Sequence, residues 1–346
     1  MKHYFSIFLV FVFLSLSCRD GNNGDLILVG EGQMPQGTFD EAEVLHVVYG
    51  KGDSLLHAVR TMQSRNVYRH QVIGVLPELA ASHMRGPQVA VTTEGIGVIA
   101  CTEAGDIHSY FKKTGGNWER GNRINDRDTV AKEGLISIAG SGNQLFAVWL
   151  DMRSGNNQLY GSSSNDGGQN WSRNQLIYAS PDTTICECCK PSVIMNANQI
   201  AIQFRNQING HRDMHIITSQ DGGITFTDAK KLGNGNWQLD GCPMDGGALA
   251  FSGNSIQTIW RRASTLFTCE PGKTETELAR GRNPTIAIVD GKPFYAWSEE
   301  GNIMIRTHKG KVQRMGKGNS PQLVAKAGRL FCIWENNNQI LAAEIL

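Results

Sequence analysis

The sequence predicts an all-β chain, a β-propeller of six or seven four-stranded blades, and three observations carry that expectation. Glycine is frequent, at 39 of 346 residues, and proline scarce, at 10, which is the composition of a chain with many tight turns. An apolar strand that ends in an aromatic residue and then a charge recurs at a spacing of roughly 35 to 60 residues, the range of propeller blades. A short Asp-Gly-Gly turn motif recurs after that strand.

The chain opens with Lys2 and His3, an apolar run from Tyr4 to Leu16, and Ser17-Cys18. A charged start, an apolar middle and a small residue before a cysteine make an export signal over residues 1–17. The run is too short to span a bilayer comfortably. It resembles a bacterial lipoprotein signal, which implies a lipid on Cys18, export to the cell envelope and contact with membrane through that anchor alone. Residues 18–41 are expected to be a polar tether, in which Leu26 to Val29 supply a closing strand. The propeller is then expected over 42–346.

The recurring strand is visible as Phe-Ala-Val-Trp-Leu-Asp ending at Asp151, Ala-Ile-Gln-Phe-Arg at Arg205, and Gln-Thr-Ile-Trp-Arg-Arg at Arg262. Further copies end at Glu299 and Glu335, with weaker ones near Tyr49 and Glu103. Alternating apolar residues and β-branched content support strands. The aromatic residues Trp149, Phe204, Trp260, Trp297 and Trp334 hold one blade position and are expected in the core. The turn motif is Ser164-x-Asp166-x-Gly168-x-x-Trp171, repeated as Ser219-x-Asp221-x-Gly223-x-x-Phe226. Its glycines allow positive φ and its Asp can accept backbone N–H bonds, so both aspartates are expected to be structural.

These turns resemble the Asp-box, or BNR repeat, of the sialidase (neuraminidase) superfamily. Met-Arg-Gly-Pro at 84–87, Cys-Glu-Cys-Cys-Lys-Pro at 186–191 and Gly-Cys-Pro-Met-Asp at 241–245 resemble a family of bacterial exported BNR-repeat proteins. The likeness covers nearly all of the chain after the signal.

The repeat sorts residues onto two faces. Turns between the third and fourth strands of a blade fall on one face. Loops leading into first strands, and loops between second and third strands, fall on the other. That second face collects His83, Arg85, Glu133, Lys190, Asp245 and Arg282, with Asp151, Arg153, Arg205 and Arg212 from the other loops. A ring of charge at a channel mouth suits a small polar ligand. Net charge is +1, which leaves no field for nucleic acid.

Three readings of that face stand open. The leading one is a glycoside hydrolase of exo-α-sialidase type acting on anionic glycans. The resemblance implies three arginines around a substrate carboxylate, here Arg85, Arg212 and Arg282, because guanidinium forks match carboxylates. Arg153, Arg205, Lys190 and His83 add substrate-binding candidates, and Asp151, Glu133 and Asp245 are acid or base candidates. Tyr295 and Tyr110 fall in strands, so no nucleophilic tyrosine is well placed. The second reading is a glycan- or ligand-binding propeller without turnover. The third concerns Cys186, Cys188, Cys189 and Cys242. Either a disulfide joins Cys186 or Cys188 to Cys242, or the sulfurs bind copper or zinc. No other cofactor is expected, and the protein is expected to be a monomer. Cys101, Cys269 and Cys332 lie in strands and are expected in the core.

Overall fold

In the computed structural model, which describes residues 26–61, 67–182 and 184–346, seven antiparallel four-stranded sheets form a closed ring. The export signal, Cys18 and the start of the tether lie outside the described residues. The blades occupy 33–75, 88–123, 136–178, 192–231, 247–280, 282–317 and 319–344. In blades 1 to 6 the strands lie in chain order from the channel outward. The seven inner strands are Gln33–Phe39, Gln88–Thr92, Ile136–Ser141, Ser192–Asn196, Gly247–Ser252, Arg282–Val289 and Asn319–Lys326. Each packs beside the next, and the first packs beside the last.

Blade 7 contributes only three strands of its own. Ile27–Glu31 supplies the fourth by pairing with Gln339–Glu344, so the two ends of the chain latch the ring. Ile27 and Val29 are buried there, and each contributes about 1.5–3 kcal/mol by leaving water. The propeller therefore begins at Ile27, before the boundary expected at residue 42. Gln33–Phe39, expected in the tether, is the inner strand of blade 1.

The aromatic-plus-charge signature has a local cause. Residues i and i+2 share one face of a strand. Trp149 Nε1 donates to Asp151 Oδ2 at 2.8 Å, and Trp297 Nε1 to Glu299 Oε2 at 3.2 Å. Each indole fills the space between blades while its one polar atom is satisfied at the strand end. Trp149, Phe204, Trp260, Trp297 and Trp334 are all buried. Cys101, Cys269 and Cys332 are buried with free thiols.

The repeated turns share one hydrogen-bond pattern. Ser164 Oγ donates to Asp166 Oδ1 at 2.8 Å, and that carboxylate accepts the Asn170 N–H at 2.9 Å. Ser219, Asp221 and Thr225 repeat the arrangement at 2.7 and 2.9 Å. Hydrogen bonds from Thr225 and Ser219 hold the Asp221 carboxyl at about 2. Both turns join third and fourth strands, on the face opposite the loops that lead into inner strands.

Candidate functional site

The loops leading into the inner strands share a strained geometry. Gly-x-x-Pro occurs at Gly32–Pro35, Gly281–Pro284 and Gly318–Pro321. The residue before each proline, Met34, Asn283 and Ser320, has φ of 54°, 50° and 52°. Proline disfavours right-handed helical backbone in the residue before it, and the left-handed conformation is costly without glycine. His83, Met84 and Met244, at φ 49°, 70° and 47°, add further left-handed residues at the same rim. Such positions cluster where a surrounding structure holds a loop for use.

These loops surround a funnel of about 1060 Å³ at the channel mouth. Its wall combines Arg261, Arg280 and Arg282 with Glu299, Glu300 and Glu335, and with Met34, Met84 and Met244. Arg280, Arg282 and Glu300 are exposed. Arg282 Nη2 donates to the carbonyls of Pro243 and Met244 at 3.2 and 3.4 Å, so its fork is held at the rim. Glu335 accepts the Met34 N–H at 2.9 Å. Among the described residues, no tyrosine lines the funnel. Tyr110 and Tyr295 are buried between blades.

Deeper in the channel is a cavity of about 90 Å³ lined by Lys190, Asp245 and residues of the inner strands. Lys190 Nζ donates to Gln88 Oε1 at 3.1 Å. Burial draws its ammonium down to about 8. Asp245 is fully buried, receives Arg261 Nε at 2.5 Å and lies against the Asn283 N–H. Burial pushes its carboxyl up, against the pull of Arg261 and Arg205.

Several residues expected to meet a ligand are committed to the protein itself. Asp151 is fully buried under a two-pronged contact from Arg153, whose Nε and Nη2 lie 2.9 Å from its two oxygens. Arg153 also reaches Asp126 and lines a separate outer cleft with Tyr160 and Trp171. Arg205 is buried and donates to the carbonyls of Arg212 and Arg261 at 2.8 and 2.9 Å. Arg85 pairs with Glu103 at 2.9 Å. Glu133 is half-buried, and burial raises its carboxyl against the pull of Arg85. Neither Arg85 nor Glu133 lines the funnel, and Arg212 turns inward, so Arg85, Arg212 and Arg282 do not converge. Arg282 and His83 line the funnel. Met34, which also lines the funnel, lies in the segment expected to be tether. The Gly-x-x-Pro spacing marks it.

The cysteines join two neighbouring loops. Cys188 and Cys242 form a disulfide across Cα atoms 6.2 Å apart, stapling the loop before blade 4 to the loop before blade 5. The sulfurs of Cys186 and Cys189 lie 3.4 Å apart, and those of Cys186 and Cys188 3.9 Å apart. A turn at residues 187–188 curls the chain so that adjacent cysteines share one pocket. Arg212 Nη1 donates to Cys186 Sγ at 3.1 Å. The hydrogen bond with Cys189 lowers the Cys186 thiol to about 7, burial opposing it and Arg205 and Arg212 adding to it. Burial and the neighbouring Cys186 hold the Cys189 thiol well above its ordinary value.

No family model matches the chain, and no curated protein sequence matches it. Solved structures do. The BP39L lectin from Burkholderia pseudomallei is 9% identical, with 92% of this chain and 96% of that one covered and a TM-score of 0.61. The fucose-specific lectin from Aleuria aurantia is 8% identical over 85% and 97%, with a TM-score of 0.53. A Trypanosoma rangeli sialidase in complex with sialic acid is 11% identical over 90% of this chain, at 0.51. The fold is similar to those of sialidases and fucose-binding lectins. Only 60% of the sialidase chain is covered. At these identities the likeness concerns the fold, while the funnel residues belong to this chain.

Proposed function

We propose that the protein is a carbohydrate-binding propeller whose funnel holds an anionic glycan. The observation that carries this reading is the funnel wall, where the exposed Arg280 and Arg282 line the same mouth as the carboxylates Glu299, Glu300 and Glu335. Arg280 and Arg282 offer planar donors to a ligand carboxylate or sulfate. Glu299 and Glu335 offer acceptors to sugar hydroxyls. Two of the solved structures of similar fold are lectins, one of them fucose-specific, which agrees with carbohydrate binding. A wall braced by the Cys188–Cys242 disulfide favours binding by limiting the order lost on association.

A second reading, glycoside hydrolysis, is favoured by one observation: three carboxylates, Glu299, Glu300 and Glu335, line the same funnel. Glycosidases ordinarily use a carboxylate pair. Tyrosine-based sialidase chemistry lacks its nucleophile among the described lining residues.

The test offers sialylated, sulfated and fucosylated oligosaccharides to the purified protein by glycan array and calorimetry. Saturable binding without sugar release supports the lectin reading, and release of 4-methylumbelliferone from a sialoside or fucoside supports the enzyme. Arg282→Ala should weaken binding by about tenfold or more. An unchanged affinity in that variant removes the funnel from the account. Export and a lipid on Cys18 are part of the same proposal, supported by the N-terminal signal pattern. Detergent-phase partitioning that persists in Cys18→Ser would overturn them.

A further inference from the structure

The Cys188–Cys242 disulfide braces the funnel wall, but the free thiols of Cys186 and Cys189 beside it have no part in the glycan reading. We propose that Cys186, Cys188 and Cys189 form a redox-gated site for one soft d10 ion, Cu(I) or Zn(II), opened by reduction of the Cys188–Cys242 disulfide. Three observations meet there.

The first is spacing. Sulfurs that share one ion at ~2.3 Å in tetrahedral geometry sit roughly 3.8 Å apart. Here two of the separations are 3.4 and 3.9 Å, and all three sulfurs lie within 4.8 Å of one another. The pocket thus needs little rearrangement to hold an ion.

The second is charge. Three thiolates around a monovalent ion leave two negative charges in a buried place. Arg205 and Arg212 bring two positive ones, and Arg212 already touches Cys186. The hydrogen bonds of Arg205 go to two carbonyls, and the carboxylate partner of Arg212, Glu187, sits 3.5 Å away at the surface. Buried cations of this kind are costly unless anions stand beside them.

The third is access. Cys186 and Cys189 are buried, whereas Cys242 is exposed. Met84, from the loop before blade 2, and Met244, from the loop that carries Cys242, line the funnel, and thioethers suit a soft ion on its way in.

The gating step balances. A dithiol reductant attacks the exposed Cys242 Sγ, and a new S–S bond forms to the reductant as the bond to Cys188 breaks. The electron pair leaves with Cys188 Sγ as a thiolate inside the pocket. The reductant's second thiol then releases Cys242, and the reductant departs as its own disulfide, oxidised by two electrons. Metal binding displaces the remaining thiol protons to solvent.

The experiment uses the full chain, oxidised or reduced by a dithiol without oxygen, then given Cu(I) or Zn(II), desalted and assayed for metal. Reduced protein should keep about one ion per chain and oxidised protein fewer than about 0.1. The ion retained against bicinchoninate or pyridylazoresorcinol identifies the metal. Cys242→Ser frees Cys188 permanently and should bind without reductant. Cys186→Ser should lose at least about tenfold in affinity, with near-ultraviolet circular dichroism to verify its fold. Binding of neither ion by reduced protein or by Cys242→Ser, or equal binding by oxidised protein, overturns the site.

Discussion

The two sides of the channel mouth use the same residue types in opposite ways. Around blades 4 and 5, charge is closed upon itself. Arg205 holds carbonyls, Arg212 holds Cys186, Arg261 holds Asp245, and Arg262 Nη1 meets Glu275 at 2.9 Å. Trp237 packs there, with the guanidinium carbons of Arg205 and Arg261 5.0 and 5.2 Å from its ring. From the end of blade 5 around blades 6 and 7, Arg280, Arg282, Glu299, Glu300 and Glu335 border the open funnel. A buried guanidinium bonded to a carbonyl, a carboxylate or a thiol shapes a wall, while an exposed one with free donors can meet a ligand. Topological address alone does not separate the two.

The largest expected effect of breaking this contrast is at Asp245. Asp245→Ala leaves Arg261 facing a buried site without its carboxylate, and should cost about 3–5 kcal/mol of stability. Urea unfolding checks it, and a loss below about 1 kcal/mol would show that Arg261 finds solvent instead. Next comes a matched pair. Arg212→Ala should cost about 1–3 kcal/mol in the same assay, because it removes a buried contact to Cys186. Arg282→Ala should change stability by less than about 0.5 kcal/mol, the ordinary range for an exposed position, while it weakens glycan binding. If the two variants behave alike in both assays, the division of the mouth into wall and ligand surface fails.

The fold was legible because its repeat carries physics along one strand. An indole and a carboxylate two residues apart must share a face, so Trp149 with Asp151 and Trp297 with Glu299 announce buried strands that end at a rim. The inner strand of blade 1 was not legible. Gln-Met-Pro-Gln-Gly-Thr-Phe has little alternation and places Pro35 and Gly37 where a strand signal should be strongest. Gly37 is there because blade 7 presses close: a Cβ would come within 2.5 Å of Ile333 Cδ1. The site was half legible. Sequence position brings Arg85, Arg153, Arg205 and Arg212 to the face of the inner-strand loops, but an arginine's reach lets it fold back onto Glu103, Asp151, a carbonyl or a thiol. That choice depends on partners distant in sequence. The cysteine address was readable from the repeat, whereas the turn that gathers three sulfurs was not.

The smallest expected effect concerns pH and tests whether the closed side is held by ionised groups. Burial pushes the Glu275 carboxyl up, but the N–H groups of Asn234 and Gly235 and the guanidinium of Arg262 outweigh it and hold it at about 2. The ordinary value is 4.5, so the folded state binds this proton less tightly than the unfolded chain. Stability from Glu275 is therefore fully present above about pH 4.5 and is lost as pH falls toward about 2. In Glu275→Gln the stability curve should lie lower at pH 7 and fall less steeply between those values, whereas Arg282→Ala should keep the wild-type slope. Parallel curves for wild type and Glu275→Gln through that window would mean that Arg262 and the loop at 234–235 are held by packing, and that the closed side owes its rigidity to the Asp245 pair and the disulfide.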